Sequence, residues 1–417
     1  MSVDYKTSKE SNTDYLKIFF SIFILSILTL KVVNNLVLLI FALTGLILWF
    51  KKDLNPFKDR NLRILSFFST TYFLVILGSI IMAHGFSIEL SHIARKIHFL
   101  LVPLIAVTIS YVKIELDEFL KLCKFALILS IIPKVIIFYI KLFEVNPLWD
   151  ETFTGMFNAN IYGDMVVVMM FISITKIYSE NRKDLILTLL AFSIGLASLI
   201  LSGSRGSFLS FIVLLILFLV LTYKKFFKSY INSRKNLIKV LVIFVGVITL
   251  FYPYIAEKYT TTVNSLNYWS TDKVAYSSSG IRLEMWNAAL KAHEDAPWHG
   301  YGYRNANKVV SKYSDYHPSD ISVFTHLHNE YLTNLLSAGY AGLISVLSMI
   351  VIPLYIFLKT RRCQEAYYYS LIGINLCVAY ASFGITHISF GEENINALYV
   401  FLMSYLLPNA LKQYKDK

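Results

Sequence analysis

The chain has 417 residues, of which 56% are hydrophobic and 15% aromatic, and its formal net charge at pH 7 is +12. This composition excludes an ordinary soluble globular protein, because apolar stretches long enough to cross about 30 Å of hydrocarbon as helices recur along nearly the whole sequence. The charge does not indicate a nucleic-acid partner, since membrane topology explains most of it.

Twelve membrane-spanning helices are predicted, so the expected fold class is an all-α polytopic membrane protein. Their positions are near 15–31, 33–50, 62–84, 97–112, 122–142, 160–176, 185–202, 207–223, 237–255, 330–358, 366–388 and 394–411. The first stretch has no small-residue cleavage site, so we predict a retained span. We predict three regions: transmembrane helices 1–9 in residues 1–255, a large outer loop with helices in 256–329, and transmembrane helices 10–12 in 330–417.

Positive charge predicts the orientation of these spans. With both termini inside, the short inner segments carry 25 of the 39 Lys and Arg residues, as the positive-inside rule requires. The basic run KKFFKSYINSRK on this side is also compatible with binding of anionic membrane lipids. All nine histidines then fall on the outer side or at outer helix ends: His84, His92, His98, His293, His299, His317, His326, His328 and His387. We therefore expect the chemistry of the protein on its outer face.

The stretch LSGSRGSFLS, residues 201–210, joins the seventh and eighth predicted spans by only a few residues. Arg205 is thereby held near the membrane surface, and the small residues around it permit close helix approach and leave space for a ligand at the guanidinium. The alternative is an arginine that merely extends to the membrane interface. The sequence leaves both interpretations open.

The outer loop, residues 256–329, is far longer than the other connections and is rich in aromatic residues, which indicates order. Its aromatic rings suit stacking on sugar faces or resting at the headgroup level. Within it, SSSGIRLEMWNAALKAHEDAP predicts a helix with serine caps at its start and Pro297 after its end. Arg282 is expected in the first turn, where a cation is unfavourable. It therefore needs an anionic ligand or a carboxylate partner such as Glu284 or Glu294.

The sequence HLHNEYL, residues 326–332, leads into the tenth span. His328, Leu332, Leu335 and Gly339 are spaced to share one helical face, which would place the imidazole at a helix N-terminus. Such a position lowers the pKa of an imidazole, and a neutral histidine can accept a proton. A capping or interfacial role is the simpler alternative. A metal site is weakly supported by His-x-His alone.

Taken in order and spacing, these motifs resemble the O-antigen ligase and polymerase superfamily of bacterial inner membranes. The resemblance is carried by GMFNANIYGD (155–164), RGSFL (205–209), Arg282 with Trp286, PWHGYG (297–302), and His328-Asn329 followed by Gly339-x-x-Gly342. It covers most of the chain in motifs and predicted topology. It implies twelve helices with a periplasmic loop domain, related to the GT-C glycosyltransferases, and a periplasmic active site in the bacterial inner membrane.

The resemblance also implies a reaction. An O-antigen ligase moves a polysaccharide from undecaprenyl pyrophosphate onto the lipid A core, and we expect this activity because the single dominant loop and the His-Asn-x9-Gly-x-x-Gly motif favour a ligase over a polymerase. Arg205 and Arg282 would hold the pyrophosphate and His328 would act as the general base or orient the substrates, with inversion at the anomeric carbon. The further substrate-binding residues expected are Arg95, Lys96, Asn158, Asn160, Trp286, His326 and Asn329. Plain membrane anchoring is an equal alternative for Arg95 and Lys96.

No metal or other cofactor is expected, because no outer segment offers an Asp-x-Asp pair. The expected partners are the polyprenyl-linked donor, the lipid A core acceptor and membrane lipids. An O-antigen polymerase is the main alternative. A lipid-linked oligosaccharide transporter should carry ionisable residues deep within spans, and Lys134 and Asp164 are the obvious candidates. A structural scaffold would leave the outward position of the histidines unexplained.

Overall fold

The structure is a computed structural model that describes residues 3–85, 93–142, 157–226, 278–303, 305–314 and 326–415, together with residues 252, 256, 260, 263 and 264. Apart from Tyr252, the predicted ninth span lies outside the described residues, and so do His92 and His317. The helices are α1 Val3–Ser26, α2 Lys31–Lys52, α3 Arg63–His84, α4 Ile97–Tyr111, α5 Leu116–Leu129, α6 Ile131–Leu142, α7 Ala159–Ser173, α8 Arg182–Ser202, α9 Arg205–Phe226, α10 Ser278–Glu294, α11 Ala306–Val310, α12 Glu330–Thr360, α13 Tyr367–Thr386 and α14 Glu393–Lys415.

All regular structure within the described ranges is helical, which confirms the all-α class. Six of the described helices, α2, α3, α8, α9, α12 and α13, are long and apolar enough to cross a membrane. A seventh span follows if the sharply bent pair formed by Ile97–Tyr111 and Leu116–Ile136 counts as one. The chain is therefore a multi-pass membrane protein, and the total of twelve spans stays a prediction.

Helix α14 lies at the centre of the bundle. Every residue from 394 to 408 is buried, as expected of a mostly apolar helix that other helices surround. It packs on α2, α4, α12 and α13, and the Phe401 ring stacks on Phe23 of α1 with centroids 3.9 Å apart. Since helix association in lipid relies on van der Waals packing and hydrogen bonds, such close ring contacts hold the bundle together.

The described part of the outer loop has its own small apolar cluster. Helix α10 begins at Ser278 and ends at Glu294, three residues before Pro297, which confirms the predicted helix. Four residues of α10 are buried in this cluster: Met285, Ala288, Ala289 and Ala292. The others are Ala306 and Val310 of α11, Leu327 of the HLHNEYL segment and Leu336 of α12. Because Leu336 belongs to α12, this cluster joins the loop to the transmembrane bundle.

Helix α12 is kinked at Ala338 and Gly339, whose backbone angles are not helical. The kink frees the carbonyl oxygens of Leu336 and Ser337, which accept hydrogen bonds from the backbone N–H groups of Tyr301 (2.7 Å) and Gly302 (2.9 Å). The PWHGYG segment therefore caps the first half of α12. Gly339 has φ +60°, and a Cβ added there would lie 2.0 Å from the Trp298 carbonyl oxygen. Two motifs of the sequence thus form one structural unit.

Candidate active site at one end of the bundle

Arg205 begins α9 directly after a tight turn. Helix α8 ends at Ser202, and Gly203 follows in a left-handed conformation with φ +68°, so the connection is as short as predicted. The Arg205 side chain is exposed. Its neighbour Gly206 lies against α13, where an added Cβ would be 2.5 Å from the Thr386 hydroxyl. The turn is therefore pressed against the end of α13, next to His387.

A hydroxyl network fixes the Arg205 turn to α7. Ser204 Oγ donates to Asn160 Oδ1 (2.8 Å), and Ser207 Oγ donates to Asp164 Oδ1 (2.6 Å). Asn158 caps α7, because its Oδ1 accepts from the Asn160 backbone N–H at 3.0 Å. These contacts support the turn from behind. The predicted binding of substrate by Asn158 and Asn160 stays a prediction, and their contacts favour a supporting role.

Three histidines meet beside this turn. The His326 and His328 rings have centroids 4.4 Å apart, and His387 lies 5.7 Å from His326 and 5.9 Å from His328. His387 caps the C-terminus of α13, and its Nδ1 accepts from the Ile388 backbone N–H at 2.6 Å. His387 was not among the predicted site residues. Its signal was its place at the outer end of the eleventh predicted span, next along the chain after the span that HLHNEYL begins.

The placement of His328 on a helical face is wrong. Helix α12 begins at Glu330, and Asn329 is its N-cap, with Oδ1 accepting from the Leu332 backbone N–H at 3.0 Å. His328 precedes the cap with φ +48°, a left-handed conformation that is uncommon outside glycine. The kink at Gly339 further interrupts the predicted face. The imidazole is thus directed by a turn, and Asn329 serves first as a cap, with its predicted contact to substrate untested.

The loop helix α10 brings Arg282 to the histidines. Trp286, one turn further along α10, donates from its indole Nε1 to the Leu327 carbonyl oxygen at 2.9 Å, which fastens the HLH segment to this helix. Burial, and then the charge of Arg205, lower the pKa of Arg282. The two guanidinium groups therefore lie within electrostatic range of each other in a partly desolvated place. Glu284, one of the carboxylates predicted as a partner of Arg282, accepts a hydrogen bond from Ser314 Oγ at 2.8 Å.

All three imidazoles are held neutral. Burial, followed by the charges of Arg282 and His387, lowers the pKa of His328 to about 3. Burial is also the main reason that the pKa of His387 falls to about 4 and that the pKa of His326 is strongly lowered. His328 is thus a neutral proton acceptor near Arg282. Arg282 and Arg205 together form a pair of cations that suits an anion. This arrangement suits a reaction in which an anion leaves and a hydroxyl loses its proton.

The remaining predicted contacts, Arg95 and Lys96, are engaged within the protein. Arg95 Nη1 lies 3.1 Å from Glu392 Oε1. Lys96 is 1% exposed, and its ammonium donates to Tyr72 OH and to the Phe390 carbonyl oxygen, both at 2.6 Å. Binding of phosphate by either residue stays a prediction, and the burial of Lys96 favours a structural role.

The described residues contain no group of three or more His, Cys, Asp or Glu side chains arranged to hold a metal ion. His326, His328 and His387 form no such group either, although their rings are close together. Metal independence of the reaction remains a prediction.

The histidine cluster is expected to take up no proton as the pH falls from about 7.5 to about 5, whereas an ordinary imidazole titrates near 6.5. Removing a neighbouring positive charge should raise the pKa of His328, so Arg282→Ala should move its titration upward. Imidazole 15N chemical shifts of histidine-labelled protein measure both effects. A wild-type His328 resonance that titrates near 6.5, unchanged in Arg282→Ala, would contradict the assignment.

The fold and the site define a multi-pass all-helical membrane protein with two arginines and three neutral histidines gathered at one end of the bundle. Residues 190–347 match the family model described as O-Antigen ligase, which confirms the resemblance to the O-antigen ligase superfamily. This segment contains Arg205, Arg282 and His328. The chain is also similar to an uncharacterized protein of Haemophilus influenzae (strain ATCC 51907 / DSM 11121 / KW20 / Rd), with 24% identity over 252 residues, 58% of this chain and 61% of the relative. The match thus spans less than two thirds of that relative's length.

Proposed function

We propose that the chain is an O-antigen ligase, a glycosyltransferase that moves an undecaprenyl-pyrophosphate-linked O-antigen polysaccharide onto the lipid A core at the periplasmic face of the bacterial inner membrane. The match to the O-antigen ligase family supports glycosyl transfer of the ligase or polymerase type. The observation that carries the proposal is that Arg282, from the outer loop, lies within electrostatic range of both Arg205 and the neutral His328.

The proposed reaction is a direct displacement. A hydroxyl oxygen of the acceptor attacks the anomeric carbon of the donor, the bond from that carbon to the pyrophosphate oxygen breaks, and the pyrophosphate leaves with the electron pair. Arg205 and Arg282 stabilise the negative charge that develops on the leaving group through paired hydrogen bonds. His328 accepts the proton of the attacking hydroxyl. The configuration at the anomeric carbon is inverted, and no metal ion is required.

Binding of the donor would also prepare the base. In the structure, the charge of Arg282 disfavours protonation of His328. A bound pyrophosphate would offset that charge, since opposite charges within a few ångströms favour each other's ionised form. The imidazole would therefore become a stronger base once the donor is bound.

Two other functions are compatible with parts of the sequence. An O-antigen polymerase would use the same donor, with a lipid-linked chain as acceptor, and the products distinguish it from a ligase. A transporter would use ionisable groups within the spans. Lys134 donates to the Ser130 carbonyl oxygen and to Tyr162 OH, and Asp164 accepts from Ser207. These hydrogen bonds tie neighbouring helices together, which favours fixed roles over transport.

In vitro transfer with purified protein, undecaprenyl-pyrophosphate glycan and lipid A core tests the proposal. Wild type should form the ligated product in the presence of EDTA, and His328→Ala should lower the rate by about 10²–10⁴-fold because the base is lost. His293→Ala is the matched control, since His293 lies on α10 and contacts Tyr340 OH at 3.2 Å outside the three-histidine cluster. Extension of the glycan on its lipid carrier, with no transfer to core, would assign a polymerase instead.

A further inference from the structure

Lys96, immediately before α4, is a buried cation on which several chain segments converge. Its ammonium donates to Tyr72 OH of α3 and to the Phe390 carbonyl oxygen in the segment between α13 and α14. It also lies 4.9 Å above the centre of the Tyr303 ring of the outer loop and 3.9 Å from Glu330 Oε1 at the start of α12. One side chain thereby joins the loop to four segments of the bundle.

Glu330 completes the same junction. Its Oε2 accepts from the Phe390 backbone N–H at 2.9 Å, and its Oε1 accepts from Asn334 Nδ2 at 2.6 Å. Asn334 Oδ1 in turn accepts from Tyr72 OH at 3.3 Å. Both Lys96 and Glu330 are 1% exposed. The desolvation cost of a buried ion pair is offset only when its remaining polar atoms are hydrogen-bonded. The contacts given above supply hydrogen bonds to both members of this pair.

The junction lies next to the histidines in the chain. Glu330 follows His328 by two residues, and Phe390 follows His387 by three. The hydrogen bond between Glu330 and Phe390 therefore links the two short segments that carry these imidazoles. Tyr303 directly follows Gly302, whose N–H caps the first half of α12. A movement of the Lys96 ammonium would therefore change the positions of both the histidines and the docked loop.

We infer that the Lys96–Glu330 pair is a positioning device that sets the place of His328 relative to His387 and holds the outer loop against the bundle, without itself contacting substrate. This inference rests on the proposed function for its effect on catalysis. Its effect on the structure stands independently. Among the described residues a comparable buried pair, Lys124 and Glu180, lies 2.5 Å apart with both side chains 6% exposed. Glu180 directly precedes the N-cap of α8, whose other end adjoins the Arg205 turn.

The charge state of Lys96 supplies a readout that a purely structural role would not move. Burial lowers its pKa to about 8, while Glu330 raises it, Arg95 lowers it and Glu392 raises it; Tyr72 and Tyr303 also face the ammonium. The folded protein therefore loses this proton as the pH rises through about 8. Glu330→Gln removes the charge that does most to keep Lys96 protonated, so it should lower the pKa of Lys96. As the pH rises, turnover of this variant should therefore begin to fall at a lower pH than turnover of the wild type.

The test compares Lys96→Met and the double variant Lys96→Met/Glu330→Gln with Lys124→Met and Lys124→Met/Glu180→Gln. The double variants remove both charges of a pair, so that neither leaves an unpaired buried ion. Hydrogen exchange of the peptide covering residues 387–392 reports the anchoring in each purified protein. Turnover and KM in the transfer assay report the catalytic effect.

Both Lys96 variants should show faster exchange at residues 387–392 and roughly 100-fold lower turnover with a similar KM, because a misplaced base slows chemistry more than binding. The Lys124 variants should change neither quantity per folded molecule. Unchanged exchange in the Lys96→Met/Glu330→Gln protein would overturn the anchoring, and faster exchange with wild-type turnover would overturn the positioning role. Absence of transfer in wild type would refute the proposed function, while the exchange result would still decide the anchoring.

Discussion

Arg282→Ala is expected to lower glycan transfer by about 10²–10³-fold or more, as the loss of a single group that stabilises a leaving anion does in other enzymes. Arg282 is half-buried on α10, so it is partly desolvated, and it lies within electrostatic range of Arg205 and His328. Two positive charges held close together cost folding energy. An anionic ligand between them would offset that cost, and alanine removes half of its binding site.

Turnover by purified protein, together with the amount of folded protein recovered, measures this effect. Arg282→Lys should retain part of the activity, because lysine keeps the charge but not the paired hydrogen bonds of a guanidinium. Arg182→Ala is the matched control, since Arg182 is an exposed arginine at the first turn of α8, at the other end of that helix from Arg205. Full activity in well-folded Arg282→Ala would refute the pyrophosphate clamp.

Gly339→Ala is expected to destabilise the protein by more than about 2 kcal/mol. Two costs combine: the backbone has φ +60° and ψ −158°, which only glycine adopts readily, and the new Cβ would lie 2.0 Å from the Trp298 carbonyl oxygen. The PWHGYG segment would have to move away, and the Leu336 and Ser337 carbonyl groups would lose their partners. Thermal unfolding in detergent measures the loss, and proteolysis within residues 297–302 reports the detached loop.

Gly78→Ala provides the comparison for that variant. Gly78 lies within α3, and an added Cβ there meets nothing within 4 Å. Alanine should therefore leave the unfolding temperature unchanged or raise it slightly, because alanine is favoured over glycine within a helix by up to about 1 kcal/mol. Equal unfolding temperatures for the two variants would show that the close backbone approach at Gly339 does not contribute to the stability of the protein.

Local sequence patterns predicted the elements whose form is decided locally. The loop helix α10 followed from its serine start, its apolar spacing and Pro297, and the Arg205 turn followed from its small residues. The start of α12 at Glu330 also agrees with the span predicted near 330–358. The same local reasoning placed His328 on that helix. It failed there because the left-handed turn is fixed by contacts of HLH with Trp286 and α10, which lie far away in sequence.

Non-local contacts account for the rest. The kink at Gly339 depends on the PWHGYG backbone, and nothing in the spacing of α12 itself requires it. Lys96 was predicted to meet phosphate because it is a cation at an outer helix end. Its burial arises from Tyr72 and Phe390, which reach it from α3 and from the segment before α14. The place of His387 beside His326 and His328 likewise follows from the packing of α12 on α13.

The capping of α12 by the PWHGYG segment restricts how this loop can be exchanged between related proteins. A loop transferred without its own α12 would face carbonyl groups and a glycine with a different geometry, and it would not form these hydrogen bonds. The Trp298 carbonyl, the Tyr301 and Gly302 N–H groups and the Gly339 backbone are matched surfaces. A chimera therefore has to carry the stretch from Pro297 to Gly342 as a single cassette, so that no crossover point separates the PWHGYG segment from the kink in α12.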